Sequence, residues 1–168
     1  GYTMHLPTED RYMQTKSELE AELAVTLGGR AAEQVVFERV TTGAANDFQQ
    51  ATRIASAMVK DYGMSGLGVV SYEDDGQQGF LRQMMGSPPK YSERTATEID
   101  RTVREIVNGA YDDVVSMVTE RRDELEAVAA RLMESESITA EELNDLVAAC
   151  RDDSAQDNGA DPPESGTA

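Results

Sequence analysis

The stretch TKSELEAELAVTLGGRAAEQVV, residues 15–36, decides the fold class. Leu19, Leu23 and Leu27 recur at four-residue steps, which stacks their side chains on one face of a helix. The apolar pattern resumes beyond Gly28-Gly29 at Ala31, Ala32, Val35 and Val36. Two start signals compete. Ser17 with Glu20 forms a capping box, and so does Thr15 with Glu18. The glycine pair is the anomaly, since each costs a helix about 1 kcal/mol relative to Ala. Two glycines kept inside a helix imply the close approach of another backbone, or a kink.

The same period extends outward from this segment. A second helix is expected from about Ala44 to Tyr62, with Ala51, Ile54, Ala55, Met58 and Tyr62 facing inward and Gly63 placed to stop it. Ser92 can cap a long third helix carrying Ala96, Ile99, Val103, Ile106, Ala110, Val114 and Val118 on one stripe. Arg94 with Glu98 and Asp100 with Arg104 have the spacing of ion pairs on its wet face. The stripe continues at Leu125, Val128 and Leu132, either in the same helix or after a break near Arg121-Arg122. Thr139 and Glu142 form a capping box for a last helix that should end near Ala149. Tyr2, Met4 and Leu6 alternate with Thr3 and His5 as a short strand would, and Gly66 to Tyr72 reads as a second. Residues 73–90 are polar and rich in Gly and Pro, a surface loop that Phe80 and Leu81 pin to the body. The expectation is a mostly α fold with one or two short strands. Residues 1–150 form its ordered part, and 151–168, short of large apolar groups, form a disordered acidic tail.

Composition narrows the chemistry. At 168 residues, 39% of them hydrophobic, the chain suits one domain with a core. Aromatics are 5% with no Trp, so aliphatic side chains must fill that core. Thirty-two acidic against fifteen basic side chains leave a formal charge of −17. A surface so acidic repels phosphate, which argues against nucleic acid as the main partner and against electrostatic docking on anionic lipid. A single cysteine, Cys150, excludes an internal disulfide, and with no His near it in sequence it is a poor candidate nucleophile. A single histidine, His5, excludes a metal site built from several histidines of these residues. His5 also falls opposite the apolar side of its strand, where solvent is expected. No apolar run reaches the roughly 18 residues of a membrane span, and no signal peptide opens the sequence. The start without Met, in mid-pattern, reads as the edge of a fragment. The glycines of residues 63–68 lack the strand and helix that a phosphate cradle requires.

Two carboxylates stand out. Asp47 precedes Ala51 by four residues and Ile54 by seven, so it lies on the face of the second helix that otherwise reads as buried. A carboxylate there needs a partner, a hydrogen bond or a metal; alternatively, it is simply an anion near a helix N-terminus, favoured by the macrodipole. Glu33 follows Arg30 by three residues. It is either half of an i, i+3 ion pair on a wet face or a carboxylate that orients a metal ligand.

The motifs Gly1-Tyr-Thr-Met-His-Leu-Pro7, Leu27-Gly-Gly-Arg-Ala-Ala-Glu33 and Thr42-Gly-Ala-Ala-Asn-Asp47, in this order, resemble the peptidase domain of the FtsH family, the membrane-anchored AAA+ zinc metalloproteases. Asp61-Tyr-Gly-Met-Ser65, Tyr91-Ser-Glu93, Ile99-Asp100, Ile138-Thr139 and Glu142-Leu143 continue the likeness, which covers about residues 1–148. The resemblance implies that Asp47 is the third zinc ligand, that Glu33 stands behind the ligands, and that Tyr2, Thr3 and Met4 bind substrate as an added strand. It implies zinc, completed by two histidines of a His-Glu-x-x-His helix that also carries the general base, and ATP in a separate upstream module. That helix does not occur in these 168 residues. The chain is therefore expected to be soluble and inactive alone, as the C-terminal part of a peptidase domain. The complete protein would be a homo-hexamer that degrades membrane and cytosolic proteins at the cytoplasmic face of a membrane, held there by an upstream anchor. A catalytically dead oligomerising scaffold is the alternative reading.

Overall fold

Helix α1 (Lys16–Phe37) starts at the earlier of the two competing caps. In the computed structural model of the chain, Thr15 Oγ1 accepts from the Glu18 backbone N–H at 3.3 Å, and the Glu18 carboxylate accepts from the Thr15 N–H at 2.7 Å. Starting there draws Lys16 into the helix, where it pairs with Glu20 at 3.5 Å. The structure describes residues 13–39, 41–72 and 91–157, with side chains up to Arg151. The expected strand at Tyr2 to Leu6, with Thr3, Met4 and His5, lies outside the described residues, as do the segment 73–90 with Phe80 and Leu81 and the end of the tail beyond Asp157.

Helix α1 runs unbroken through Gly28 and Gly29, and a Cβ on either would meet nothing within 4 Å. Among the described residues, then, no backbone crosses closely there, contrary to the first of the sequence expectations. A 3-10 turn, Thr42–Ala44, leads into α2 (Ala45–Lys60). Helix α2 is shorter than the sequence implied, and Tyr62 falls outside it, 53% exposed instead of continuing the inner stripe. Gly63, at φ +60°, turns the chain back so that the Met64 N–H donates to the Met58 carbonyl at 2.8 Å. A Cβ at Gly63 would come within 3.3 Å of the Val69 backbone.

Gly66 to Tyr72 forms no strand. A strand needs a neighbour for its ladder, and the described residues contain none. The Tyr72 N–H instead donates to the Lys60 carbonyl at 2.8 Å, and Val69 is 96% exposed. The Tyr72 and Tyr91 rings meet edge to face at 5.9 Å.

Helix α3 (Glu93–Glu120) starts at Ser92, whose hydroxyl accepts from the Thr95 N–H at 3.3 Å. The Arg94–Glu98 pair forms at 3.4 Å, whereas the second expected pair is replaced by Arg101–Glu105 at 3.8 Å. The chain divides into two compact units, residues 1–116 and 117–168. The core of the first is the α1 stripe of Leu19, Leu23 and Leu27 against Ala51, Ile54 and Met58 of α2, with Ile106, Val107, Ala110 and Tyr111 of α3 packed on it. Each fully buried Leu contributes about 1.5–3 kcal/mol of transfer free energy. The Tyr111 hydroxyl donates to Gln34 Oε1 at 2.8 Å, tying α3 to α1.

In the second unit the backbone breaks at Arg121 (φ −111°, ψ 30°), and α4 (Arg122–Ser135) packs on α5 (Ala140–Asp157). The Thr139–Glu142 capping box is present, with bonds of 2.9 and 3.2 Å. Arg131–Glu142 at 3.3 Å and Arg151–Glu124 at 3.1 Å join the two helices. No residue of α4 is fully buried. Helix α5 extends eight residues beyond the expected end at Ala149, because Cys150 to Asp157 contain neither Gly nor Pro to stop a helix already nucleated. Disorder was expected from residue 151, so Arg151 to Asp157 are corrected to helix. Cys150 is thereby a half-buried residue inside α5, in no disulfide and not at the helix end.

Candidate functional site

Asp47 lies in the first turn of α2, on the helix's inner side with Ala51 and Ile54. Its side chain is half buried. The preceding cap position is Ala44, which has no side-chain oxygen to offer the free N–H groups of that turn. An anion beside those groups is favoured by the helix macrodipole. Among the described residues the Asp47 carboxylate makes no hydrogen bond and no ion pair. Both sequence readings of Asp47 therefore meet in one place. It is a helix-terminus carboxylate, and it is also a partly desolvated one with its oxygens unclaimed.

Glu33 comes from the penultimate turn of α1. Its carboxylate accepts from Thr41 Oγ1 at 3.0 and 3.2 Å, and Thr41 Oγ1 in turn accepts from the Gly43 N–H at 3.2 Å. The expected Arg30–Glu33 ion pair is present at 3.8 Å, but the face is not wet. The side chains of Arg30 and Glu33 are only 14% and 32% exposed. Arg30 lies over the Phe48 ring, its Cζ 5.8 Å from the centroid. The end of α1 is thus tied to the start of α2 on either side of Asp47 in sequence, through Thr41 before it and Phe48 after it.

Sequence reasoning singled out Asp47 and Glu33 and missed Thr41 and Phe48 as their neighbours. The cap-like Thr41-Thr42-Gly43 was the available signal for Thr41. For Phe48, 40% exposed on a helix whose inner stripe is elsewhere, there was none. Tyr2, Thr3 and Met4 lie outside the described residues, so their relation to this corner stays an expectation.

As a metal site the corner is partial. Among the described residues no three His, Cys, Asp or Glu side chains gather into a possible metal-binding group. The residue present nevertheless fits: a carboxylate with no partner among the described residues is a donor that zinc accepts beside imidazole. A cavity of about 350 Å³ between α2 and α3, lined by Thr52, Ser56, Lys60, Asp100, Arg104 and Asn108 among others, includes neither Asp47 nor Glu33. No helix among the described residues is long and apolar enough to cross a membrane.

Residues 1–146 match the model of peptidase family M41. The chain is 48% identical over 149 residues to the ATP-dependent zinc metalloprotease FtsH 4 of Synechocystis, a match covering 88% of this chain and 24% of that protein. It is 44% identical to the ATP-dependent zinc metalloprotease FtsH of Rubrobacter xylanophilus, over 88% of this chain and 23% of that protein. It is 42% identical to the protein of the same name from Bacillus subtilis, with the same coverage of each. The chain spans about a quarter of the length of these relatives.

Proposed function

This chain belongs to peptidase family M41, and on that premise we propose that it is the C-terminal part of the zinc peptidase domain of an ATP-dependent metalloendopeptidase. Asp47 is the ligand that this segment contributes to the metal. The observation that carries the reading is the half-buried Asp47 carboxylate at the N-terminus of α2, unpartnered among the described residues, within the stretch that matches the family.

Zinc, when bound, supplies Lewis-acid polarisation of a peptide carbonyl and activates water near neutral pH. The chain's own residues do positional work. The first turn of α2 sets the Asp47 carboxylate beside its free N–H groups, and the Glu33–Thr41 bond steadies the entry to that turn. Two histidines and the general base come from a His-Glu-x-x-His helix outside these residues. Tyr2, Thr3 and Met4 offer an edge to an extended polypeptide substrate. In the complete protein an ATPase module supplies unfolded substrate to a homo-hexameric chamber. A separate membrane anchor holds the assembly at the cytoplasmic face. The charge of −17 leaves nucleic acid out of the partners.

The test is Asp47→Asn in the complete protease. Zinc retention and protein degradation should both be lost while ATP hydrolysis largely survives. A variant that degrades protein at the normal rate would remove Asp47 from the site.

A further inference from the structure

We infer that Arg30 and Phe48 are positioning residues for Asp47: the guanidinium of Arg30, held over the Phe48 ring, locks the first turn of α2 against the end of α1 and so sets the direction in which the carboxylate presents its oxygens. The inference rests on the reading of Asp47 as a metal ligand.

The reason to look at Arg30 is its cost. Its side chain is 14% exposed, and its Nε and Nη1 atoms are buried with no hydrogen-bond partner among the described residues. The Glu33 carboxylate, at 3.8 Å, is too far for a hydrogen bond. A long arginine stem ordinarily carries its charged head out to water, and a desolvated guanidinium with unmade bonds is unfavourable. A loose ion pair with Glu33 does not offset that. Among the described residues, the group that recognises the flat face of this guanidinium is the Phe48 ring, with Cζ 5.8 Å from its centroid.

Phe48 is the residue after Asp47, in the same rigid turn. Any roll of that turn moves both side chains together, because consecutive residues of a helix keep a fixed angular offset. Fixing Phe48 therefore fixes Asp47. The Thr41–Glu33 bond fixes the other side, before α2 begins. With Ala44 at the cap position, no side chain anchors the turn from within. The two ties to α1 replace that anchor.

The experiment compares Arg30→Lys and Phe48→Leu with Asp47→Ala in the complete zinc-loaded protease. Zinc affinity is read by competition with a chromophoric chelator. Ligand geometry is read from the visible absorption bands of the cobalt(II)-substituted protein, and structural damage from the melting temperature of the metal-free protein. The expected result is an affinity about tenfold or more below wild type in Arg30→Lys and Phe48→Leu, with altered cobalt bands. The metal-free melting temperature of Arg30→Lys should stay near wild type. In the Asp47→Ala background, Arg30→Lys should bring little further loss. Unchanged affinity and cobalt bands in Arg30→Lys overturn the inference, as does a loss of equal size with and without Asp47. If Phe48→Leu does not fold, Arg30→Lys decides, since it keeps the charge and the stem. If Asp47→Ala itself retains zinc at wild-type affinity, the ligand reading falls and this inference with it. Zinc loss in Asp47→Ala with none in Arg30→Lys overturns this inference alone.

Discussion

Replacing Thr41 by Val removes one hydroxyl and little else, and the structure says what that hydroxyl holds. Thr41 Oγ1 donates to the Glu33 carboxylate at 3.0 and 3.2 Å and accepts from the Gly43 N–H at 3.2 Å. The second bond is a cap on the 3-10 turn that opens α2, and losing such a cap costs about 0.5–2 kcal/mol. The first is a bond to a charged group, which is worth about 1.5–3 kcal/mol where water is excluded. Thr41 is exposed, however, and the Glu33 side chain keeps 32% of its surface in water, so solvent replaces most of that bond. The total should therefore sit near the low end, about 1–2 kcal/mol, or a fall of about 2–8 °C in melting temperature. Thr41→Ser keeps the oxygen and should lose less than half as much. Urea unfolding of the purified chain, followed by circular dichroism, measures both. In a Glu33→Gln background the effect of Thr41→Val should shrink, because the two residues share one interaction. Equal losses from Val and Ser would refute the reasoning, since the variant that keeps the hydroxyl should keep both bonds. Full additivity with Glu33→Gln would refute the bridge between α1 and α2.

Leu27 is fully buried between α1 and α2, so Leu27→Ala should cost about 2–5 kcal/mol in the same unfolding measurement, whereas Leu143→Ala, at a position 39% exposed, should cost much less. The Glu142 carboxyl is held below the usual carboxylate range, first by the Thr139 backbone N–H and then by Arg131. A depressed carboxyl contributes stability above its unfolded pKa and loses it as pH falls through the folded one. Glu142→Gln should therefore flatten the loss of stability of the α4–α5 pair as pH falls below the ordinary glutamate range in acid titrations by circular dichroism. The purified 168-residue chain, with one His and no His-Glu-x-x-His, should leave casein undigested. Calorimetry should show at most weak zinc binding.

Much of the helical frame could be read from the sequence, because caps and stripes are local. Thr139 and Glu142, Ser92, and the Leu19–Leu23–Leu27 stripe are set by neighbours three or four residues away, and the structure contains them as read. Asp47 stood out for the same reason, as a carboxylate out of place in an apolar period. The choice between Thr15 and Ser17 as the cap was already less local, since Lys16 gains its Glu20 partner only in the longer helix. The Gly66 to Tyr72 segment misled because alternation describes a strand's faces but cannot supply the neighbour that a strand requires. The burial of Arg30 depends on Phe48, and the orientation of Glu33 depends on Thr41. Those contacts exist only once α2 has folded back beside α1. The sequence by itself determined which segments become helices and which carboxylate falls in an apolar period, since both follow from spacing along one chain. Only the tertiary structure decided that Arg30 meets Phe48 and Glu33 meets Thr41, because packing, not periodicity, brings two helix ends together.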